Sequence, residues 1–327
     1  MTNNSFKASL IFWLVPVAIL AAWFFKNIFL IFFIAVVFGS AIQVWALWLK
    51  SKLKLPFLIN VLIIYLILVV LLTWSLYYLT PIIFSEIKNI QPNLNLFLTE
   101  LSSNFKIQDH AIDLFKSAFQ NLPRFNFGLV IKNIFDGVIS AILIFILSFY
   151  VATQQHLSSQ IINFLPIKNR PRVESLWRRI RKKFSFWFAG QFFLMLIIGL
   201  AVYLLMTILK VPNAILIGVI AGLTEIIPVL GPIIAASLAL VITLATKFEV
   251  VFLVLIGFFV IQELENKFLV PVVMKKAVAI SPVFTLLGIL IGARVGGILG
   301  MLAILPLIVL LVEIYREINP GSDNPKI

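Results

Sequence analysis

The sequence predicts an all-α polytopic membrane protein of about eight transmembrane segments. Two of these are broken helical hairpins, full or re-entrant, and a small amphipathic helical cap lies outside. Three observations predict it. Charged residues make up 12% of the 327 and hydrophobic residues 62%, whereas a soluble domain carries about 25% charged. The apolar residues gather in runs that reach or approach the roughly 20 needed to cross hydrocarbon as a helix, without the alternation of an outer-membrane barrel. Two runs, 214–246 and 281–312, are too long for one upright span. Each is interrupted by Pro or Gly beside a single charged residue, Glu225 in one and Arg294 in the other.

Taken in order, the first apolar run, 8–25, exceeds a signal-peptide core of about 7–15 residues and is followed at once by a second, 28–49, so both are read as spans. A basic link, Lys50, Lys52 and Lys54, leads to Pro56, which opens span three; this ends before Thr80-Pro81. The first three spans form one region, 1–84. The region 85–136 is polar and charge-balanced. There Ile112, Phe115, Phe119 and Leu122 recur at helical spacing between a capping Asp109 and a stop at Pro123, which predicts the external cap. Asp136-Gly137 reads as a turn before span four, 138–153. Span five, 184–209, starts with an aromatic interface of Phe184, Phe186, Trp187 and Phe188. Span six, 249–262, ends in the polar run Glu263–Lys267, then Pro271. The region 137–327 is the expected transport core, with a basic loop at 154–187 and the two hairpins at 214–246 and 281–312.

Charge sets the expected orientation. Lys168, Arg170, Arg172, Arg178, Arg179, Arg181, Lys182 and Lys183 face Glu174 alone in the 154–187 segment. The positive-inside rule puts that segment in the cytoplasm. The 50–54 link falls on the same side, the 85–136 cap outside and the N-terminus inside. The net charge of +13 therefore reads as a topology signal. The Arg178–Lys183 cluster is read as a retention signal at a span's inner end ahead of an anionic-lipid or nucleic-acid site. The partners expected include membrane lipid and no nucleic acid. Cysteine is absent and only His110 and His156 supply imidazoles. No HExxH, GxSxG or GxxxxGK[ST] run occurs. No catalytic residue, metal or cofactor is expected, and the chain is read as a non-enzyme.

Glu225 is the leading functional candidate. A charged side chain at mid-bilayer costs roughly 2.5–3.5 kcal/mol on insertion scales, so such residues mark substrate or ion pathways. Beside it Pro228, Gly231 and Pro232 break the helix and free backbone groups that lipid cannot satisfy. Gln262, Glu265 and Asn266, at the end of span six, are oxygen-bearing groups suited to H+, Na+ or a polar solute. Gln262 and Glu265, three apart, share a helical face. Arg294 is a candidate partner for Glu225 or Glu265, or for an anionic solute, and Gly296-Gly297 is a candidate break in the second hairpin. Span, split hairpin, span, split hairpin forms a weak internal repeat of the kind found in secondary transporters. Small residues four apart (Ala214, Gly218, Gly222; Gly288, Gly292, Gly296, Gly300) suit close helix contact and self-association into a homo-oligomer.

The run Glu225-Ile-Ile-Pro-Val-Leu-Gly-Pro232 resembles the E-x-I-P-x-x-G-P signature of the autoinducer-2 exporter family. Gln262-x-x-Glu265-Asn266 with Pro271, then Ser281-Pro282, Gly296–Gly300-Met301 and Pro306, resemble that family's C-terminal pattern, and Gly190-Gln191 its span-five signature. The resemblance implies a multi-pass protein of the bacterial cytoplasmic membrane. It implies export of a small polar solute such as the autoinducer-2 signal, and the residues themselves point to ATP-independent transport coupled through the intramembrane carboxylate Glu225. The alternatives are a monovalent cation (Na+)/proton antiporter and a membrane scaffold that transports nothing.

Overall fold

The computed structural model describes residues 24–71, 73–74, 77–78, 81, 127–154, 170–274 and 282–319. Span one and most of the external cap lie outside the described residues. The described chain is helices joined by short turns, with no strand among the described residues. The expected all-α architecture is therefore present. The helices are α1 (Lys26–Leu53), α2 (Phe57–Leu71), α3 (Phe127–Thr153) and α4 (Arg170–Ile208). They continue as α5 (Ala214–Thr224), α6 (Leu230–Thr246), α7 (Val251–Leu264), the short α8 (Val270–Met274) and α9 (Pro282–Ile318).

Three boundaries differ from the sequence expectation, each for a local reason. Helix α3 starts at Phe127 and runs through Asp136-Gly137, where a turn was expected. Nothing approaches the position a Gly137 side chain would take, so this glycine lowers helix propensity without forcing a break. The basic segment read as a loop to residue 187 is helical from Arg170 onward, with Pro171 in the first turn, where its missing N–H is not needed. Span six does not end at Gln262. Its helix passes through a single wide turn, Glu265–Leu269, into α8. There the N–H of Val270 reaches back five residues to the carbonyl of Glu265. Pro271 explains the widening, because its ring would strike the carbonyl four residues before it in a regular helix.

The chain forms two compact units. The first comprises 1–54, 140–185 and 279–327. Within it α1 packs against α9, and Gly39 of α1 sits so close to α3 that a Cβ would lie 2.5 Å from the Ser148 carbonyl. The C-terminal turns of α9 carry Glu313 and Glu317, which the basic start of α4 clasps. Arg172 bonds Glu317 at 2.6 Å, Arg179 reaches both Glu317 and Glu313, and Lys183 lies 3.7 Å from Glu313.

Helix α9 has two arms. Gly296 (φ −143°, ψ 21°) and Gly297 (φ 56°, ψ −135°) are not helical. In an unbroken helix residues 288 and 304 would stand about 24 Å apart. Here a Cβ on Gly288 would lie 2.9 Å from Ile304 Cγ1, and one on Gly292 would lie 2.5 Å from the Gly300 carbonyl. The chain therefore doubles back at Gly296-Gly297, so that Gly288 and Gly292 of the stripe face the return arm and Gly300 faces Gly292 from it.

The second unit comprises 55–139 and 186–278. Its core gathers Ile198, Val202 and Met206 of α4, Leu216, Ile217 and Ala221 of α5, Ala235, Ala239 and Ile242 of α6, and Val254 of α7. Gly218 and Gly222 let α5 cross α4 at backbone contact, with Gly199, Tyr203 and Met195 as the facing residues.

Candidate functional site

Helices α5 and α6 are the arms of the first hairpin. Their 11 and 17 residues rise about 16 and 25 Å, short of the roughly 30 Å of hydrocarbon. The break lies at Glu225–Val229. The N–H of Glu225 still bonds Ala221, but Ile226 and Ile227 turn back to Leu223 and Thr224. Val229 adopts φ +71°, which a β-branched residue takes only under surrounding constraint. Pro232 falls in the first turn of α6, a position that tolerates proline.

Gly231 makes the break this tight. A Cβ there would lie 2.5 Å from the Thr224 carbonyl oxygen and 2.7 Å from Glu225 Cα. Thr224 Oγ1 bonds the Gly231 carbonyl at 3.2 Å across the same turn. Gly231→Ala should open the hairpin and destabilise the protein by about 1–3 kcal/mol, the usual penalty of overpacking. A thermal melt of the purified variant reads this directly, and an unchanged melt would mean that the turn has slack.

The break delivers Glu225 to the interior. Its residue is 1% exposed, and Glu265 is 4% exposed. The two carboxyls are close enough to interact electrostatically. Gln262 Nε2 donates to Glu265 Oε2 at 3.0 Å. Gln191 of α4, itself buried, donates its Nε2 to the Glu225 backbone carbonyl. Both Glu225 carboxyl oxygens and Gln191 Oε1 are buried with no donor. Two facing carboxylates are both acceptors, so the contact closes only when a proton or another cation sits between them. Glu263 pairs with Lys267 at 2.5 Å on the outer side, while Glu265 turns inward. A cavity of about 10 Å³, room for one water-sized occupant, is lined by Gln262, Glu265, Pro232 and the apolar side chains of α4–α7.

The structure thus brings together Glu225, Gln262 and Glu265 at the break made by Pro228, Gly231 and Pro232. Asn266 is not among them. One residue past Glu265, it is exposed. Arg294 belongs to the first unit, is exposed, and makes no ion pair among the described residues. Gly296 and Gly297 form the second hairpin's break. Two features carried no signal strong enough to place them from sequence. Gln191 stood out only within a motif, because one amide on an apolar helix looks the same whichever way it points. Glu313 and Glu317 sit at the end of the last apolar run, far in sequence from the bases they bind.

A family model described as AI-2E family transporter matches residues 10–319. The chain belongs to the AI-2E transporter family. YrrI of Bacillus subtilis, provisionally named a transport protein, is 25% identical over 296 residues, covering 86% of this chain and 84% of its own length. YueF of the same organism, named likewise, is 25% identical over 289 residues, 81% and 78% of the two chains. A Thermotoga maritima protein of similar name is 24% identical over 252 residues, 73% of each. As an AI-2E family transporter the chain is a membrane transport protein. Three of its helical stretches, Lys26–Leu53, Arg170–Ile208 and Val283–Ile318, are long and apolar enough to cross a bilayer, although the last is folded on itself.

Proposed function

We propose that the chain is a secondary transporter coupled to a monovalent cation, H+ or Na+, through the facing carboxyls of Glu225 and Glu265. The single observation that carries this is a buried cluster of oxygen acceptors, donor-free at Glu225, beside a broken helix. Buried like charges repel strongly, so a cation that enters or leaves the pair changes the energy of the surrounding helices. That is the requirement for coupling. Export of a small polar solute such as the autoinducer-2 signal is the reading implied by the family. The second reading, Na+/proton antiport, is supported by the buried oxygen acceptors of Glu225, Gln262 and Glu265, a set of groups suited to a monovalent cation. The protein resides on this reading in the bacterial cytoplasmic membrane as a homo-oligomer.

The test is flux in proteoliposomes of purified protein under imposed pH and Na+ gradients. Gradient-driven movement of H+ against Na+ supports antiport, movement of a polar solute supports export, and no flux of either kind supports a scaffold and sinks the proposal. Orientation is tested separately. A cysteine introduced near Asp109 should react with an impermeant thiol reagent on intact cells, since the basic excess retains 154–187 inside. Labelling only after lysis reverses the topology.

A further inference from the structure

The geometry points to a phospholipid-headgroup site in the first unit, at Arg181, for the phosphodiester of an anionic lipid. Arg181 stands three residues before the aromatic run Phe184–Phe188, the level at which a spanning helix meets headgroups. Its Nη1 donates to Gln43 Oε1 of α1 at 2.7 Å. Gln43, 4% exposed, is held in that orientation because its Nε2 donates to the Gln154 carbonyl at 3.5 Å. Arg181 Nε is buried and finds no acceptor. Ser40, on the same face of α1 one turn before Gln43, is fully buried with an unpartnered hydroxyl.

A guanidinium is always charged, and a buried charge-bearing donor left without an acceptor is destabilising. The nearby acids do not supply the acceptor. Glu174 is engaged by Arg178 at 3.2 Å, and Glu313 and Glu317 are taken by Arg172, Arg179, Lys183 and Arg316. Among the described residues Arg181 makes no ion pair. A phosphodiester offers two acceptor oxygens to a guanidinium fork, and the exposed Arg178, three residues earlier on the same face, adds a second cation. Apolar acyl chains then follow the exposed apolar surface of the helices, which a free phosphate does not use.

The test is thermal stability of the full chain in mixed micelles. The additions are phosphatidylglycerol, phosphatidylcholine, or inorganic phosphate at matched concentration. Phosphatidylglycerol should raise the midpoint by several degrees while the other two leave it in place, as expected of a ligand that binds the folded state. Arg181→Gln should remove the shift and Arg178→Gln should reduce it by about half. Arg172→Gln, which breaks only the clasp to Glu317, should lower the melting point but retain the shift. An equal shift with inorganic phosphate overturns the lipid assignment in favour of a free anion. A full shift in Arg178→Gln overturns the site even where Arg181→Gln does not fold, and equal shifts with both lipids show bulk solvation by lipid in place of a headgroup site.

Discussion

Glu225→Gln is expected to lower gradient-driven flux by at least about tenfold, equivalent to 1.4 kcal/mol, while the protein still folds and inserts. The side chains are close in shape, and the amide brings an N–H that Glu265 accepts in place of a shared proton. Packing around the α5–α6 break is then retained, whereas the capacity to bind and release a proton or Na+ at this position is lost. Glu265→Gln should act in the same direction, because it removes the other half of the pair and leaves Gln262 facing an amide. Asn266→Ala is the control. It lies one residue away on the exposed side and should transport as the wild type does. The measurement is ion-sensitive dye flux in proteoliposomes across a pH series, with a thermal melt of each variant. Wild-type rate and pH profile in Glu225→Gln would reduce this residue to a turn element and end the coupling proposal.

The sequence made the hairpins legible because their signals are local. Pro228, Gly231 and Pro232 after Glu225 and the glycine pair after Arg294 are local helix-breaking signals, and the breaks lie at those residues. Glu225 and Glu265 were singled out because each is a carboxyl within or beside an apolar run. That they face each other is a tertiary fact. It depends on the C-terminal end of α7 carrying Gln262 and Glu265 on its inner face, while Glu263 and Asn266 fall on more exposed sides. Helical spacing places Gln262 and Glu265 on one face, which α7 retains, whereas Asn266 groups with them only as a neighbour in the polar run and falls on the exposed side. Arg294 illustrates the opposite limit. An arginine in an apolar run invites pairing with an acid, but a long side chain also reaches solvent by bending its stem along apolar surface. The sequence contains no term that decides between the two.

Gly292→Leu and Gly300→Leu are expected to be the most damaging single changes in the second hairpin. The contact they invade is backbone on backbone. A Cβ on Gly292 would lie 2.5 Å from the Gly300 carbonyl oxygen and 3.0 Å from the Met301 nitrogen, and a Cβ on Gly300 would meet the Gly292 carbonyl more closely still. Overpacked side chains usually cost about 1–3 kcal/mol because neighbours change rotamer. Here no rotamer can move, so the arms must separate and the loss should reach the top of that range or pass it. Gly296→Ala is the informative comparison. It lies at the break itself, but its Cβ would meet only the tip of Leu30, a flexible side chain that can swing aside, and its φ of −143° is open to any residue. Gly297→Ala meets no atom within 4 Å but must adopt φ +56°, ψ −135°, a strain of about 1–3 kcal/mol. The expected order of melting points is Gly296→Ala nearest the wild type, Gly297→Ala lower, and Gly292→Leu and Gly300→Leu lowest, with flux lost in the last two. If both leucine variants melt and transport like the wild type, the arms of 282–318 do not touch. The helix would then run straight through Gly296-Gly297, and the folded-back hairpin would be the wrong description of this segment.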